Sequence, residues 1–470
     1  MKITARYTVI VMLTIAVANL YSFRSIPTMI KPYLIQIVGG DTKNVTKNEC
    51  PEPSEKVQTK PLSNITEPIS HQHAMKLAYD FARATAHFVS GMSCDISGGR
   101  YIVFFSVLGS AILTASYPSL LINSPPWGMI IFNIVSGSLS GYVMPAIMTL
   151  ISSWAPLNRR TVFVGVVYAG GPLSKVLEYA LIEFFTVISR NWENVFYISA
   201  ILGFLYILIH MYTVFSKPGM HPLISREERK FLEKELGTKI PKRIPWFQII
   251  KDKHVIAILF GKCAHLWMQN INQTYLPQYL KLVVRLDLAT RGAFYMLLPH
   301  LLHFFCIIVA AVLVQISINA HKVELTHLRI FCTMFSAVSP AILMIMMSYA
   351  GCNIYMIQVL SAMAICSMCT MNLGIKSNIL DLTTHFAGFC EAFINGIATF
   401  GVMATPKLLG VIITEHCIVQ WRRFYWITLA FTSFLATMHY IFVGTDRAKW
   451  DHLKKDNVTM YHDDSESESL

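Results

Sequence analysis

Charge is scarce in this chain. Of its 470 residues only 14% are Asp, Glu, Lys or Arg, against 54% hydrophobic, and the mean hydropathy is +0.48, a balance that excludes a soluble globule of ordinary composition. Acidic residues are the scarcer sign, 27 Asp+Glu against 39 Lys+Arg. The basic excess does not read as nucleic-acid binding, because the Lys and Arg sit at the ends of apolar runs and form no stripe interleaved with aromatics. The marks of an enzyme are missing too: no nucleophile stands beside a base, no glycine loop could cradle a phosphate, and no spacing suits a metal or a cofactor. His71 and His73 lack a third ligand nearby. No cleavable signal peptide is expected, since the first apolar run is long and no small-residue cleavage site follows closely. Most of the ten Cys fall inside apolar runs and read as buried thiols, the CxxC-spaced Cys366 and Cys369 included.

What is present is a series of apolar runs, each long enough to cross a bilayer at about 20 residues per crossing. Twelve are expected: 7–34, 73–92, 101–122, 127–153, 162–188, 195–215, 255–280, 292–316, 330–350, 354–375, 386–413 and 424–443. The predicted fold class is therefore an all-α polytopic membrane protein with six spans on either side of one long charged segment. That segment separates an N-terminal half, 1–216, from a C-terminal half, 247–446, and the linker 217–246 carries Lys217, Arg226, Arg229, Lys230, Lys239, Lys242 and Arg243. Basic flanks stay on the cytosolic side, so the linker and both termini are expected in the cytosol. Within the linker, Ser225 followed by Glu228 is a capping-box signature that predicts a short helix over 226–236. The loop 39–72 then lies outside, where Asn44 and Asn64 begin glycosylation sequons. Residues 447–470 form a tail that ends in an acidic, serine-rich stretch.

Charges inside spans are costly and face the bundle interior or a wet cavity, so their positions map the interior. Spans 3, 6, 9 and 12 carry none, and read as lipid-facing supports. Arg24 lies in span 1, Lys76, Asp80 and Arg83 in span 2, Lys175 and Glu178 in span 5, Lys262 and His265 in span 7, and Glu391 in span 11. Spacings of four, three and four put Lys76, Asp80, Arg83 and His87 on one helical face. Two readings stand for that face: internal neutralisation by Asp80, or a cation left free for an anionic solute.

Gly91, Asp95, Gly98 and Arg100 fit the GxxxDxxGxR loop motif of the major facilitator superfamily, and they follow span 2 as that motif does. Trp154-Ala155-Pro156 with Arg160, His221-Pro222 with Ser225, Ile244-Pro245-Trp246, Leu276-Pro277 with Tyr279, and Asn378 with Leu380-Asp381 resemble the anion:cation symporter family. That family includes sialin, the vesicular glutamate transporters and the sodium-phosphate cotransporters, and the chain resembles insect members described as inorganic phosphate cotransporters. The resemblance implies a twelve-helix fold in two halves, alternating access, and a small organic or inorganic anion moved with sodium or protons. It implies gating by the loop motif and a substrate-side cation at Arg24; Lys76 and His265 stand where the family has polar or cationic residues, and with Arg83 from the span 2 face these four are the expected substrate contacts. On span 4 the family carries an arginine and a glutamate where this chain has Asn133 and Ser140. The coupling role is then expected at Glu391, Asp80 or Glu178, unless each is held in a structural pair, with Lys407, Arg83 or Lys175 respectively. The competing expectation is a divergent member without coupled transport, a sensor, receptor-like protein or passive facilitator. No cofactor, metal or nucleic acid is expected; the expected surroundings are a lipid bilayer, of the plasma membrane or an endolysosomal or vesicular membrane.

Overall fold

A computed structural model describes residues 4–34, 36–38, 50, 66–237, 240–241, 243–286, 292–321, 323–414, 417–451 and 458–459. Asn44, Asn64 and the serine-rich end of the tail lie outside the described residues.

Long helices dominate because apolar runs leave the backbone no partner but itself. The first half contains α1 (Ala5–Leu34), α2 (Ile69–Ser97), α3 (Arg100–Asn123), α4 (Pro126–Trp154), α5 (Arg160–Ile182) and α6 (Glu193–Thr213). The linker contributes α7 (Arg226–Leu236) and α8 (Trp246–Lys251). The second half contains α9 (Lys253–Asn270), α10 (Leu276–Leu282), α11 (Gly292–Asn319), α12 (Leu325–Tyr349), α13 (Ile354–Ser367), α14 (Ser377–Leu382), α15 (Ala387–Val402), α16 (Thr405–Ile412) and α17 (Ile418–Phe442). Eight helical stretches among the described residues are long and apolar enough to cross a membrane. Strands are confined to short pairs: Gln36–Val38 beside Thr66–Pro68 in parallel, and Ile240–Pro241 beside Val458–Thr459 in antiparallel register.

The helix α7 spans the residues the capping box predicts, but only half of the box forms. Ser225 Oγ accepts from Glu228 N at 3.2 Å, and Gly237 closes the helix at φ 79°, a conformation that favours glycine. The Glu228 carboxylate turns away from Ser225 and accepts from the amides of Ala5 and Arg6 at 3.0 and 3.2 Å. It meets the exposed N-terminal amides of α1, so the linker is clamped onto the start of the chain.

The halves meet chiefly where α2 and α4 pack on α15 and where α5 packs on α11. At the linker end a large apolar cluster runs through both halves, with Leu13, Ile147, Leu150 and Phe163 from the first and Ile379, Phe386 and Ile394 from the second. At the opposite end each half has its own core: Ile30, Tyr117, Trp192 and Phe196 in the first, Met344, Tyr279, Trp421 and Tyr425 in the second. There Cys50 is disulfide-bonded to Cys352, 302 residues away, so the loop after α1 is tied to the turn between α12 and α13. Both lie outside the apolar runs in which buried thiols are expected.

The expected charge-free supports are only partly so. Arg100, Glu193, Arg329 and Arg422 belong to α3, α6, α12 and α17, which begin one, two, five and six residues before the expected apolar runs. Moreover the least buried apolar helix is α11, whose Phe305, Val309, Leu313 and Ile316 are exposed.

Candidate functional site

Two adjoining cavities lie between the halves. The first, about 540 Å³ of free space, is lined by Arg24, Arg83, His87, Ser140, Tyr168, Lys262, Lys376 and Asn395 among others. The second, about 690 Å³, shares Tyr21, Tyr168, Gln269, Met371 and Asn372 with it, and adds Lys175, His265, Asn272, His300 and His303. The helix α5 ends in a π turn at Glu183–Ile188, and two helical stretches of the second half contain one, at Ile271–Tyr275 and Asn372–Lys376. The extra residue in such a turn re-aims the side chains that follow it. The second turn directs Asn272 and the third Asn372 and Lys376 to the cavity walls.

Around these cavities stand six cations, Arg24, Lys76, Arg83, Lys175, Lys262 and Lys376, and three carboxylates, Asp80, Glu178 and Glu391. Each carboxylate takes one cation. Asp80 holds Arg83 at 3.2 Å, Glu178 holds Lys175 at 3.3 Å while accepting from the Ser25 hydroxyl, and Glu391 holds Lys376. The two pairs expected within α2 and α5 are thus present. The third is not the expected one: Lys407 is exposed on α16, and Glu391 on α15 is paired with Lys376 and hydrogen-bonded by Asn395. Lys376 escapes sequence reading because it stands one residue beyond the end assigned to its apolar run, whereas the helical stretch continues to Leu382.

Three cations remain without a carboxylate. Lys76 lines neither cavity; its ammonium donates to Asn270 Oδ1 at 3.2 Å and Thr274 Oγ1 at 3.1 Å, bridging α2 to the other half. Arg24 has a half-exposed side chain in the first cavity, its guanidinium 6.0 Å from the Tyr79 ring centre. Lys262, only 4% exposed, has neither a hydrogen bond nor an ion pair among the described residues. An uncompensated Lys or Arg at mid-membrane costs roughly 2.5–3.5 kcal/mol on translocon-based scales. Arg24 and Lys262 face each other's half across the first cavity, one from α1 and one from α9, so an anion between them would lower that cost for both.

The remaining sequence candidates fall as follows. His265 is buried in the second cavity with Nδ1 unpartnered, as is His303 Nε2. Asn133 turns to its own backbone, donating to Met129 O at 2.7 Å. Ser140 accepts from the Tyr79 hydroxyl at 2.7 Å, so this wall of the first cavity is neutral.

The loop motif lies where α2 meets α15 of the other half. Asp95 at the end of α2 accepts from the amides of Gly388 and Phe389 at 3.0 and 2.7 Å, and from the Thr149 hydroxyl at 2.7 Å. A carboxylate there satisfies the otherwise orphaned amides at the start of α15. The approach requires glycine on both sides: a Cβ on Gly91 would collide with Ala392, and one on Gly388 with Thr149 and Asp95. Gly98 makes the turn at φ 84°. Arg100 stays within its own half, donating to Met211 O and lying 3.9 Å over the Phe215 ring. Nearby, Arg160 of α5 donates to Leu380 O, and Arg329 joins Asp381 at 2.9 Å to Thr161 at 3.0 Å, closing the linker end across the two halves.

Comparisons with known proteins agree with this architecture. The chain is 26% identical over 76% of its length, and 76% of the relative's, to a Drosophila ananassae protein named "Putative inorganic phosphate cotransporter". It is 24% identical to human sialin over 75% of this chain and 71% of that one, and 24% identical to bovine vesicular glutamate transporter 1 over 67% and 58%. A solved structure of the proton:xylose symporter XylE bound to 6-bromo-6-deoxy-D-glucose has a TM-score of 0.65 at 13% identity, covering 95% of this chain and 98% of that one, which speaks for the fold. With the Major Facilitator Superfamily profile matching residues 13–406, the chain belongs to that superfamily, is a multi-pass integral membrane protein, and is similar to its sialin, vesicular glutamate and sodium-phosphate transport proteins.

Proposed function

We propose that this protein is a secondary active transporter of a small anion, phosphate-like or carboxylate, working by alternating access and coupled to sodium or protons; it is not an enzyme. The observation that carries the reading is the surplus of cations between the halves, above all the partly buried Arg24 and the buried Lys262, which have no carboxylate partner among the described residues. Arg24, Arg83, Lys262 and Lys376 supply the anion site, His265 lines its extension, and Lys76 acts as a cross-half contact. Gly91, Asp95, Gly98 and Arg100 form the gate. The names of the relatives favour an anion as cargo.

In this reading the helical stretches form twelve spans, six in each of the halves 1–216 and 247–446, joined by the linker 217–246 and followed by the tail 447–470. The linker and both termini face the cytosol. Loop 39–72, with Asn44 and Asn64 glycosylated, faces the lumen or exterior, which suits the oxidising side that a disulfide from Cys50 needs. Closure at the linker end makes this a state shut towards the cytosol.

A second reading, a divergent member without coupled transport, is favoured by one observation: on α4 both Asn133 and Ser140 are neutral, and it is Ser140 that lines the first cavity. Uptake of phosphate, glutamate and urate into proteoliposomes, with proton, sodium and voltage gradients imposed separately, distinguishes the two. Accumulation of at least one anion above its equilibrium level supports coupled transport; equilibration without accumulation, or no uptake, supports the second reading.

A further inference from the structure

The Lys376–Glu391 pair differs from the other two buried pairs. Asp80 and Arg83, like Lys175 and Glu178, are three residues apart on one helix, so no rigid-body motion separates them. Lys376 and Glu391 sit on different elements, the π turn that precedes α14 and the helix α15. Both are almost fully enclosed, Lys376 at 2% and Glu391 at 1% exposure. Lys376 also lines the first cavity, 5.1 Å from the ring centre of Tyr168 on α5, while one carboxylate oxygen of Glu391 has no hydrogen-bond partner among the described residues.

We propose that Glu391 is an internal stand-in for the transported anion and the proton carrier of the cycle; this rests on the transport reading above. With the cavity empty, the Glu391 carboxylate neutralises Lys376. An entering anion takes over Lys376, together with Lys262 and Arg24, and Glu391 is left buried without a counter-charge. An isolated carboxylate in such surroundings is costly and is neutralised instead. A proton from the open side adds to the displaced carboxylate, so one anion and one proton are carried together. When the anion leaves on the other side the proton leaves Glu391, and the ion pair closes again.

The surroundings select a proton over sodium. A hard metal cation needs several oxygen ligands, but Asn395 uses its amide nitrogen towards Glu391, and its neighbours are cationic. The elements packed on α15 present Arg83, His87 and Asp95 from α2, Lys262 from α9, and from α4 the hydroxyls of Ser140 and Thr149. Of these, Asp95 is engaged with the start of α15, and Arg83 with Asp80. The same helix therefore carries the gate lock at Gly388 and Phe389 and the charge switch at Glu391, one turn apart, so a change at Glu391 acts directly on the element that the lock holds.

The test uses the full-length protein in proteoliposomes with labelled glutamate and labelled sulfate, neither of which changes net charge between about pH 5.5 and 7.5. In the wild type, apparent affinity for at least one probe should rise as the pH falls, by up to about tenfold per unit for a single linked proton, and replacing sodium by choline should change nothing. Glu391→Gln should bind that probe more tightly at the higher pH, lose the pH dependence, and keep probe-for-probe exchange while losing acceleration by a proton gradient. If Glu391→Gln does not fold, Glu391→Met, which also removes the titratable carboxylate and keeps the anion-site lysine, should likewise lose the pH dependence and the acceleration by a proton gradient. A Glu391→Gln protein that keeps proton-driven uptake, or a wild type driven by sodium and indifferent to pH, overturns the assignment and leaves the transport reading standing. A wild type that exchanges neither probe counts against the transport reading and takes this inference with it.

Discussion

The proposed anion site rests most on Arg24 and Lys262, because every other Lys or Arg lining the first cavity already has a carboxylate. Arg24→Ala is expected to lower anion affinity at least tenfold, about 1.4 kcal/mol. Arg24→Lys should give a smaller loss, since a point charge replaces the guanidinium fork. Both are read as half-saturation of uptake. Stability should distinguish the pair partners differently. Lys376→Met leaves Glu391 buried and unpaired and is expected to cost on the order of 3–5 kcal/mol, whereas adding Glu391→Leu should recover most of that loss. Thermal unfolding of the detergent-solubilised protein would show the order; equal melting of single and double variants would contradict it. At this scale the sequence was legible wherever a charge stood well inside an apolar run, as for Arg24, Arg83 and Glu391. It was not legible for Lys376, which sits at the end of one, nor for the partner of Glu391. Pairing across helices depends on rotation and depth, and spacing within one helix carries neither; it did reveal Asp80 with Arg83 and Lys175 with Glu178, which share a helix.

Among the elements, α15 has the most to do, since it packs on α2, α4 and α9 and receives Asp95 at its first turn. Asp95→Asn removes the charge from the amides of Gly388 and Phe389 and should loosen the linker end. Cys94 and Cys390 are buried beside that contact. Their labelling by a thiol reagent applied from the linker side is therefore expected to accelerate severalfold in Asp95→Asn, and identical labelling would mean that Asp95 does not hold the gate. The helix α7 was legible to the residue, because a cap, a polar helix and a closing glycine are all local signals. The breaks at Ile271–Tyr275 and Asn372–Lys376 were not, since a π turn leaves no comparable local mark and depends on what packs against it. For the same reason the true starts of α12 and α17 were missed: Arg329 and Arg422 look like flanking charges until Asp381 and Ser348 are seen beside them.

Across the whole molecule, the superfamily was legible in a few short motifs, and the proposed division into two halves about a charged linker rests on hydropathy. The tie between Cys50 and Cys352 was not legible, because ten cysteines offer many pairings and only the fold brings these two to one end. It yields a test of orientation. Cleavage at a protease site inserted between α7 and α8 should leave the halves linked on a non-reducing gel and free on a reducing one, while glycosidase should shift only the N-terminal fragment. A glycosidase shift that persists when Asn44 and Asn64 are both replaced would overturn the proposed sidedness. The central claim is that the cations between the halves hold a transported anion. It is tested most directly by measuring uptake of labelled phosphate and glutamate into proteoliposomes by the wild type beside Arg24→Ala and Lys262→Ala, with folding of each variant checked by its melting profile. Saturable uptake in the wild type, with the half-saturation concentration raised at least tenfold in both folded variants, is the predicted result. Saturable uptake that is unchanged in both would contradict the account, because the unpaired cations of the cavity would then have no part in holding the anion.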